Sequence, residues 1–185
     1  MNDIVIALAK AAISAALNQP QDFDLESALK TYPSLKENGA AFVTINTKSH
    51  GQLRGCIGSL HACRPLYEDI IHNAQSAALC DPRFLPLSIE ELDQIDIEVS
   101  ILSEPQPLSY DSIEDLKAKI VPFKDGIVLK LNGRQATYLP QVWEQLPRFE
   151  DFFSSLCLKA NLGNNCLSQH PEISTYRVKK YKEGS

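Results

Sequence analysis

Apolar and polar positions recur along this chain with two different periods, and the period changes mark the predicted elements. Ile4, Leu8, Ala11 and Ala15 return at helical spacing within MNDIVIALAKAAISAAL, which predicts an amphipathic first helix. PQDFDLESALKTYP reads as a short second helix or turn closed by Pro33. NGAAFVTINT opens on a turn dipeptide, Asn38-Gly39, and continues as a β-rich run through Phe42, Val43, Thr44 and Ile45. KSHG is then a hairpin loop, and GQLRGCIGSL, residues 51–60, its return strand. PLYEDIIHNAQSAALC starts at Pro65, a residue suited to a first helical turn. Leu66, Ile70, Ala74 and Ala77 or Ala78 form a narrow stripe along it, and their small size implies that something packs closely there.

The second half follows the same grammar. DPRFLPLS carries two prolines and must be a loop; SIEELDQ is a helical turn with Ser88 as its cap. In IDIEVSIL the period is two: Ile95, Ile97, Val99 and Ile101 share one face, Asp96, Glu98 and Ser100 the other. SIEDLKAKI is a helix. DGIVLKLNGRQATYLP is a hairpin with Asn132-Gly133, the strongest local turn signal in the chain, at its tip. QVWEQL and FEDFFSSLCLKANLG are helices, the latter closed near Gly163, and EISTYRVKKY is a last strand. Hairpin-linked strands interrupted irregularly by helices predict an α+β domain with a largely antiparallel sheet.

Length and charge narrow the classes. At 185 residues the chain reads as one domain, 1–185, with room for two lobes. A chain of this size buries about 70% of its unfolded surface and needs no metal or disulfide to fold. A formal net charge of −5 argues against a nucleic-acid partner, because phosphates demand a positive surface. The one basic run, RVKKYK from Arg177 to Lys182, suits a strand whose charges discourage edge pairing. Asp3 and Lys10 disqualify the apolar N-terminus as a signal peptide. No segment reaches the about 18 apolar residues of a membrane span. Five cysteines without a CxxC pair point to reduced thiols and a cytoplasmic protein rather than a disulfide framework.

The candidate chemistry sits in LRGCIG, residues 53–58. If this is a strand, Leu53, Gly55 and Ile57 point one way and Arg54, Cys56 and Gly58 the other. Arg54 and Cys56 are then same-face neighbours roughly 6.5–7 Å apart at Cα. A nearby cation favours the reactive thiolate. The glycines free both faces for a ligand or another backbone to approach. The bland alternative also stands: the glycines let a helix pack, Cys56 is a small core residue, and Arg54 pairs with a structural carboxylate. A metal set of Cys56, His61 and Cys63 lacks the usual zinc spacing, so no metal is assigned. A second constellation is CDPRFLP, where Asp81, Arg83 and Phe84 surround Pro82 on a stiff loop; a site and a local Asp-Arg pair are both open. At YLPQVW, residues 138–143, a strand turns at a proline into a helix, which suits a core corner better than a cofactor box.

GAAFVTI, LRGCIG, AALCDPRFLPLS, IDIEVSIL, DGIVLKLNGRQATYLPQVW and FFSSLCLKANL, in this order over nearly the whole chain, resemble the AMMECR-one domain family. Its prokaryotic members are also called AmmeMemoRadiSam system protein A. The resemblance implies an α+β fold with an antiparallel, partly barrel-like sheet flanked by helices, and two lobes in one compact domain. It implies no named reaction and no cofactor. The system name suggests a Memo-like protein and a radical SAM enzyme as partners. The family's candidate functional residues map onto Arg54, Gly55, Cys56, Ile57 and Gly58, with Asp81, Arg83 and Phe84. The chain departs from the family pattern after LCLKA, where Asn161 takes the place of a glycine and segment 161–172 lacks the usual tryptophan.

Two functions are compatible with these residues. In one, Cys56 is the nucleophile of an enzyme acting on a small molecule, with Asp81 and Arg83 as orienters and the arginines suited to an anionic group of the substrate. In the other, the same strand is the recognition element of a non-catalytic binding or assembly module.

Overall fold

Fourteen of the segments fold as regular elements. The computed structural model describes residues 1–183. In chain order they are α1 (Asn2–Ala16), α2 (Leu25–Thr31), β1 (Asn38–Thr47), β2 (Leu53–Gly58), β3 (Arg64–Pro65), α3 (Leu66–Leu79), β4 (Ile95–Leu102), β5 (Gln106–Leu108), α4 (Ile113–Lys119), β6 (Gly126–Leu131), β7 (Arg134–Tyr138), α5 (Phe149–Lys159), β8 (Glu172–Tyr176) and β9 (Val178–Lys182). Short 3-10 turns cover Pro33–Lys36, Ile89–Gln94, Pro140–Glu144 and Cys166–Gln169. The strands form two sheets, one ordered β2-β1-β4-β9 with β3 on the end of β1, the other β5-β8-β6-β7. Every described register is antiparallel, and neither sheet is a closed barrel. The fold is therefore α+β, as the alternating periods predict. No helix among the described residues is long and apolar enough to cross a membrane.

The chain divides into two units, residues 1–102 with the C-terminal stretch from Lys179, and residues 103–178. In the first, α1 and α3 bury Val5, Leu8, Ala9, Ile13, Ile70, Ala74 and Ala77 against Val43 and Ile45 of β1 and Ile97 and Val99 of β4. Each large aliphatic side chain so buried contributes on the order of 1.5–3 kcal/mol. The predicted face of α1 is rotated: Val5, Ala9, Ala12 and Ile13 are buried, whereas Ala15 is exposed. The helix packs through a wide arc rather than the narrow stripe read from Ile4, Leu8, Ala11 and Ala15. The stripe on α3 is buried as predicted. In the second unit, Leu116, Ile127, Leu129, Leu156 and Ile173 surround an aromatic centre. Trp143 is fully buried, stacks on Phe152 at 3.6 Å, and donates its indole N–H to the Asp125 carbonyl at 3.0 Å. YLPQVW is thus a core corner.

Two boundaries and one cysteine assignment differ from the sequence expectation. The helix α5 ends before Asn161, not near Gly163: Asn161 has φ +55°, its N–H reaches the Leu158 carbonyl, and the Leu162 N–H reaches the Cys157 carbonyl. This is the left-handed cap that glycine usually supplies, and asparagine is among the few other residues that tolerate it. The final segment is two strands, not one. It breaks at Arg177, whose guanidinium pairs with buried Asp125 at 2.6 Å, and β8 and β9 join different sheets. Lastly, not all five cysteines are reduced thiols. Cys157 and Cys166 form a fully buried disulfide with Cα atoms 5.7 Å apart, because the asparagine cap turns the chain back along α5; Cys56, Cys63 and Cys80 are free.

Candidate functional site

The strand β2 lies at the edge of its sheet and pairs with β1, with Cys56 opposite Thr44, Gly58 opposite Phe42 and Gly55 opposite Ile45. A register irregularity between Ile45 and Asn46 precedes these pairs. Alternation then separates the two faces. Gly55 and Ile57 lie towards α3 and the core; Cys56 and Gly58 lie on the opposite face with Thr44 and Phe42, while the register skips Arg54 and leaves Leu53 exposed opposite Asn46. Cys56 is half-buried, and its Sγ lies 3.3 Å from the Thr44 hydroxyl. Across β1 the row continues to Glu98 of β4, opposite Thr44, whose carboxylate takes Lys180 at 3.5 Å and Lys182 at 2.9 Å. The polar face of IDIEVSIL is solvated only at its start: Asp96 is exposed, whereas Ser100 is buried and the Glu98 side chain is 14% exposed.

Asp81 and Arg83 close the open edge of β2. The Cys56 backbone N–H donates to the Asp81 carboxylate at 2.8 Å, and the Arg83 guanidinium donates to the Cys56 carbonyl at 3.2 Å. Arg83 also holds Asp81 through two bonds of 3.0 and 2.7 Å. The two side chains therefore occupy the positions a neighbouring strand would fill, as an edge left open invites pairing. Asp81 is buried, yet the Arg83 guanidinium, with the N–H groups of Cys56 and Arg83, holds its carboxyl well below the usual carboxylate range. The local Asp-Arg pair read in the sequence is real, and it clamps the backbone of the signature cysteine.

Arg54 is equally committed. It grips Glu91 with two bonds of 2.7 and 3.0 Å and donates to the Leu85 carbonyl at 3.1 Å. Glu91 in turn accepts the Ser88 N–H at 2.9 Å, completing the capping box of the turn that follows the loop. The Arg54 guanidinium is the main reason the Glu91 carboxyl is held below its ordinary range. The ring of Phe84 lies near both arginines, 5.9 Å from the Arg54 and 5.5 Å from the Arg83 guanidinium carbon. Arg54, Arg83 and Phe84 thus form one cluster, and an incoming anion would have to compete with Glu91 and Asp81 for the two forks.

The protein itself occupies the space the glycines free. A methyl group on Gly55 would lie 2.2 Å from the Ala77 carbonyl of α3, and one on Gly58 2.1 Å from the Phe42 ring. Gly55 lets the small-residue stripe of α3 reach the strand, and Gly58 lets Phe42 lie flat across it. Ile57 packs into the core beneath.

A polar cluster at the far end of β2 was not singled out from the sequence. Buried Asp69 accepts the Ala41 N–H at 2.9 Å and the Ser59 hydroxyl at 2.7 Å. Buried Asn73 donates to the Ala41 carbonyl and to Ser59, each at 3.0 Å. Arg64 approaches Asp69 at 3.5 Å. Asp69 and Asn73 sit one turn apart, beside Ile70 and Ala74 of the buried stripe. Two polar residues so placed were the legible signal, since buried polar groups require partners. Glu91 was legible too, as the fourth residue of the Ser88 capping box.

A sequence model of the AMMECR1 family matches residues 6–181. A protein of Thermofilum pendens is 35% identical over 187 residues, covering 94% of this chain and 84% of its own length. Protein TV1384 of Thermoplasma volcanium is 38% identical over 162 residues, covering 87% of this chain and 78% of itself. Among solved structures, the uncharacterized protein PH0010 from Pyrococcus horikoshii superposes with a TM-score of 0.82 at 30% identity, over 99% of this chain and 91% of that one.

Proposed function

The chain belongs to the AMMECR1 family, and within it we propose a non-catalytic binding module whose recognition face is the row of Cys56, Thr44 and Glu98 on the first sheet. One observation carries this reading: both arginines beside Cys56 are held in two-bond ion pairs by Glu91 and Asp81. The groups that interact with the thiol are the Thr44 hydroxyl and the Arg83 guanidinium, and the latter cannot accept a proton. A cysteine nucleophile needs a base within reach of its proton, and a threonine hydroxyl is a poor one. A stiff strand clamped at its edge, with a half-buried face of mixed polarity, is suited instead to receive a ligand or partner without reorganising. The module acts beside a Memo-like protein and a radical SAM enzyme, as the family's system name suggests.

The test is capture of purified Memo-like and radical SAM proteins by the immobilised chain, together with complementation of a deletion strain. Cys56→Ala retains both, because it removes a thiol but keeps the face. Thr44→Tyr, which adds bulk to the same face, loses both. Loss of complementation in Cys56→Ala with capture intact would overturn the reading in favour of a cysteine-dependent enzyme on an anionic small molecule. That second reading draws on Arg83, whose guanidinium reaches the Cys56 carbonyl and adds positive charge near the thiol.

A further inference from the structure

One lysine of the second unit has unusual surroundings. Lys159 is the last residue of α5, and its side-chain nitrogen donates to the Thr137 carbonyl at 2.9 Å. Thr137 belongs to β7, an outer strand of its sheet, so Lys159 supplies a donor that no neighbouring strand provides. The same nitrogen lies 4.7 Å from the centroid of the Tyr138 ring. No carboxylate is within ion-pair distance of it among the described residues. By contrast, Lys10, Lys30, Lys117, Lys119, Lys180 and Lys182 each face a carboxylate.

The Tyr138 ring is a fixed wall beside this amine. Its hydroxyl shares a hydrogen bond with Ser155, one turn before Lys159, at 2.9 Å. Its backbone carbonyl accepts the Tyr176 hydroxyl at 3.1 Å, and its ring meets Phe152 edge-on at 5.3 Å. The amine is therefore held in one place and partly shielded from water, while the residue as a whole is exposed to a small reagent. Three contacts bear on its proton. The Thr137 carbonyl accepts from a neutral amine as well as from an ammonium, so it does not hold the extra proton. The ring face and the helix end attract the cation, weakly at this exposure. Burial disfavours the charge with no anion to offset it, and it holds the amine below the ordinary lysine value. A larger share of free amine near neutral pH is what a lysine nucleophile requires.

From this geometry we infer that Lys159 is a preferred site of N-acylation by small acyl phosphates. The Nζ lone pair attacks the acyl carbon, a C–N bond forms, and the C–O bond to phosphate breaks. The phosphate leaves with that electron pair and takes the proton displaced from nitrogen. Local charge favours an anionic donor. The Arg134 guanidinium donates to the Asn161 carbonyl, two residues beyond Lys159, and brings a second cation without a carboxylate partner among the described residues. The acylated side chain keeps one N–H for the Thr137 carbonyl, so the fold accepts the product.

Trace acetyl phosphate is the probe, added to the full-length oxidised protein at about pH 7.5 and at about pH 10.5, below and at the ordinary lysine value. Peptide mass spectrometry reads the labelling rate of each lysine. Lys159 is labelled about threefold faster than the exposed Lys36 and Lys124 at the lower pH. The lead shrinks at the higher pH, where the other amines are also freed. Tyr138→Phe keeps the ring wall and keeps the lead, whereas Tyr138→Ala opens the amine to water and removes it. The inference falls if Lys159 reacts no faster than Lys36 and Lys124 at the lower pH. It falls equally if the lead is as large at the higher pH, which would make access rather than the free amine the cause, or if only uncharged acetylimidazole produces it.

Discussion

The segment around β2 and the segment around α5 both hold an irregular stretch of chain against a regular element, and they do it by opposite means. At β2 the loop 80–88 is fastened by charge: Asp81 and Arg83 take the backbone of Cys56, and Glu91 takes Arg54. At α5 the following turn is fastened by a disulfide and by packing on an aromatic core. Charged clamps at a sheet edge are directional and replace missing ladder bonds. A disulfide acts mainly by limiting the unfolded chain. The first kind therefore responds to pH and to single side-chain changes, the second to redox conditions.

The sharpest way to break the contrast is Gly55→Ala. Its methyl group would meet the Ala77 carbonyl, a backbone atom that moves only if α3 moves. A loss of about 3 kcal/mol is expected in urea denaturation. Gly58→Ala should cost about 1 kcal/mol, since a half-buried Phe42 ring can turn away. Equal losses would show that α3 is not the tighter constraint. Replacing Cys157 and Cys166 together by alanine should cost about 2–3 kcal/mol, from the loop-closure entropy of a nine-residue separation. It should leave the amide protection of β2 as it was.

Asp81→Asn should cost about 2 kcal/mol, because it leaves the Arg83 fork without its carboxylate while Cys56 keeps an acceptor. Arg83→Gln should cost less than half of that, its side chain being 54% exposed. The smallest effect is with pH. Asp81 and Glu91 both have lowered folded pKa values, so the stability they contribute is complete above the unfolded carboxylate value of about 4. It is lost as pH falls below that value and through the folded ones. The first unit should thus weaken before the second on acidification. Trp143, the chain's single tryptophan, reports the second unit by fluorescence, and hydrogen exchange in α3 reports the first. Simultaneous loss at both would remove the distinction.

Much of this was legible in the sequence. The alternation of IDIEVSIL, the stripe of α3, the Asn132-Gly133 hairpin and the Ser88 cap are local patterns, and local periodicity decides them. The faces of residues 55–58 also follow from period two, but the register slip at Arg54 does not, and it leaves Leu53 exposed. Other features escaped for identifiable reasons. The break at Arg177 depends on Asp125, some 50 residues earlier, so no window around EISTYRVKKY contains it. The pairing of Cys157 with Cys166 depends on the left-handed turn at Asn161, and spacing alone does not imply that turn. The buried face of α1 depends on where α3 and the sheet lie.

The sequence by itself determined the helices and the longer strands up to the split last segment, which face of LRGCIG carries the thiol, and that the glycines mark a close approach. Only the tertiary structure decided what makes that approach. It is the Ala77 carbonyl and the Phe42 ring, and the arginines beside the cysteine belong to Glu91 and Asp81. The physical reason is that periodicity is a property of neighbours in the chain. The partner of a charge or the occupant of a gap is chosen by whatever packing brings within about 3 Å.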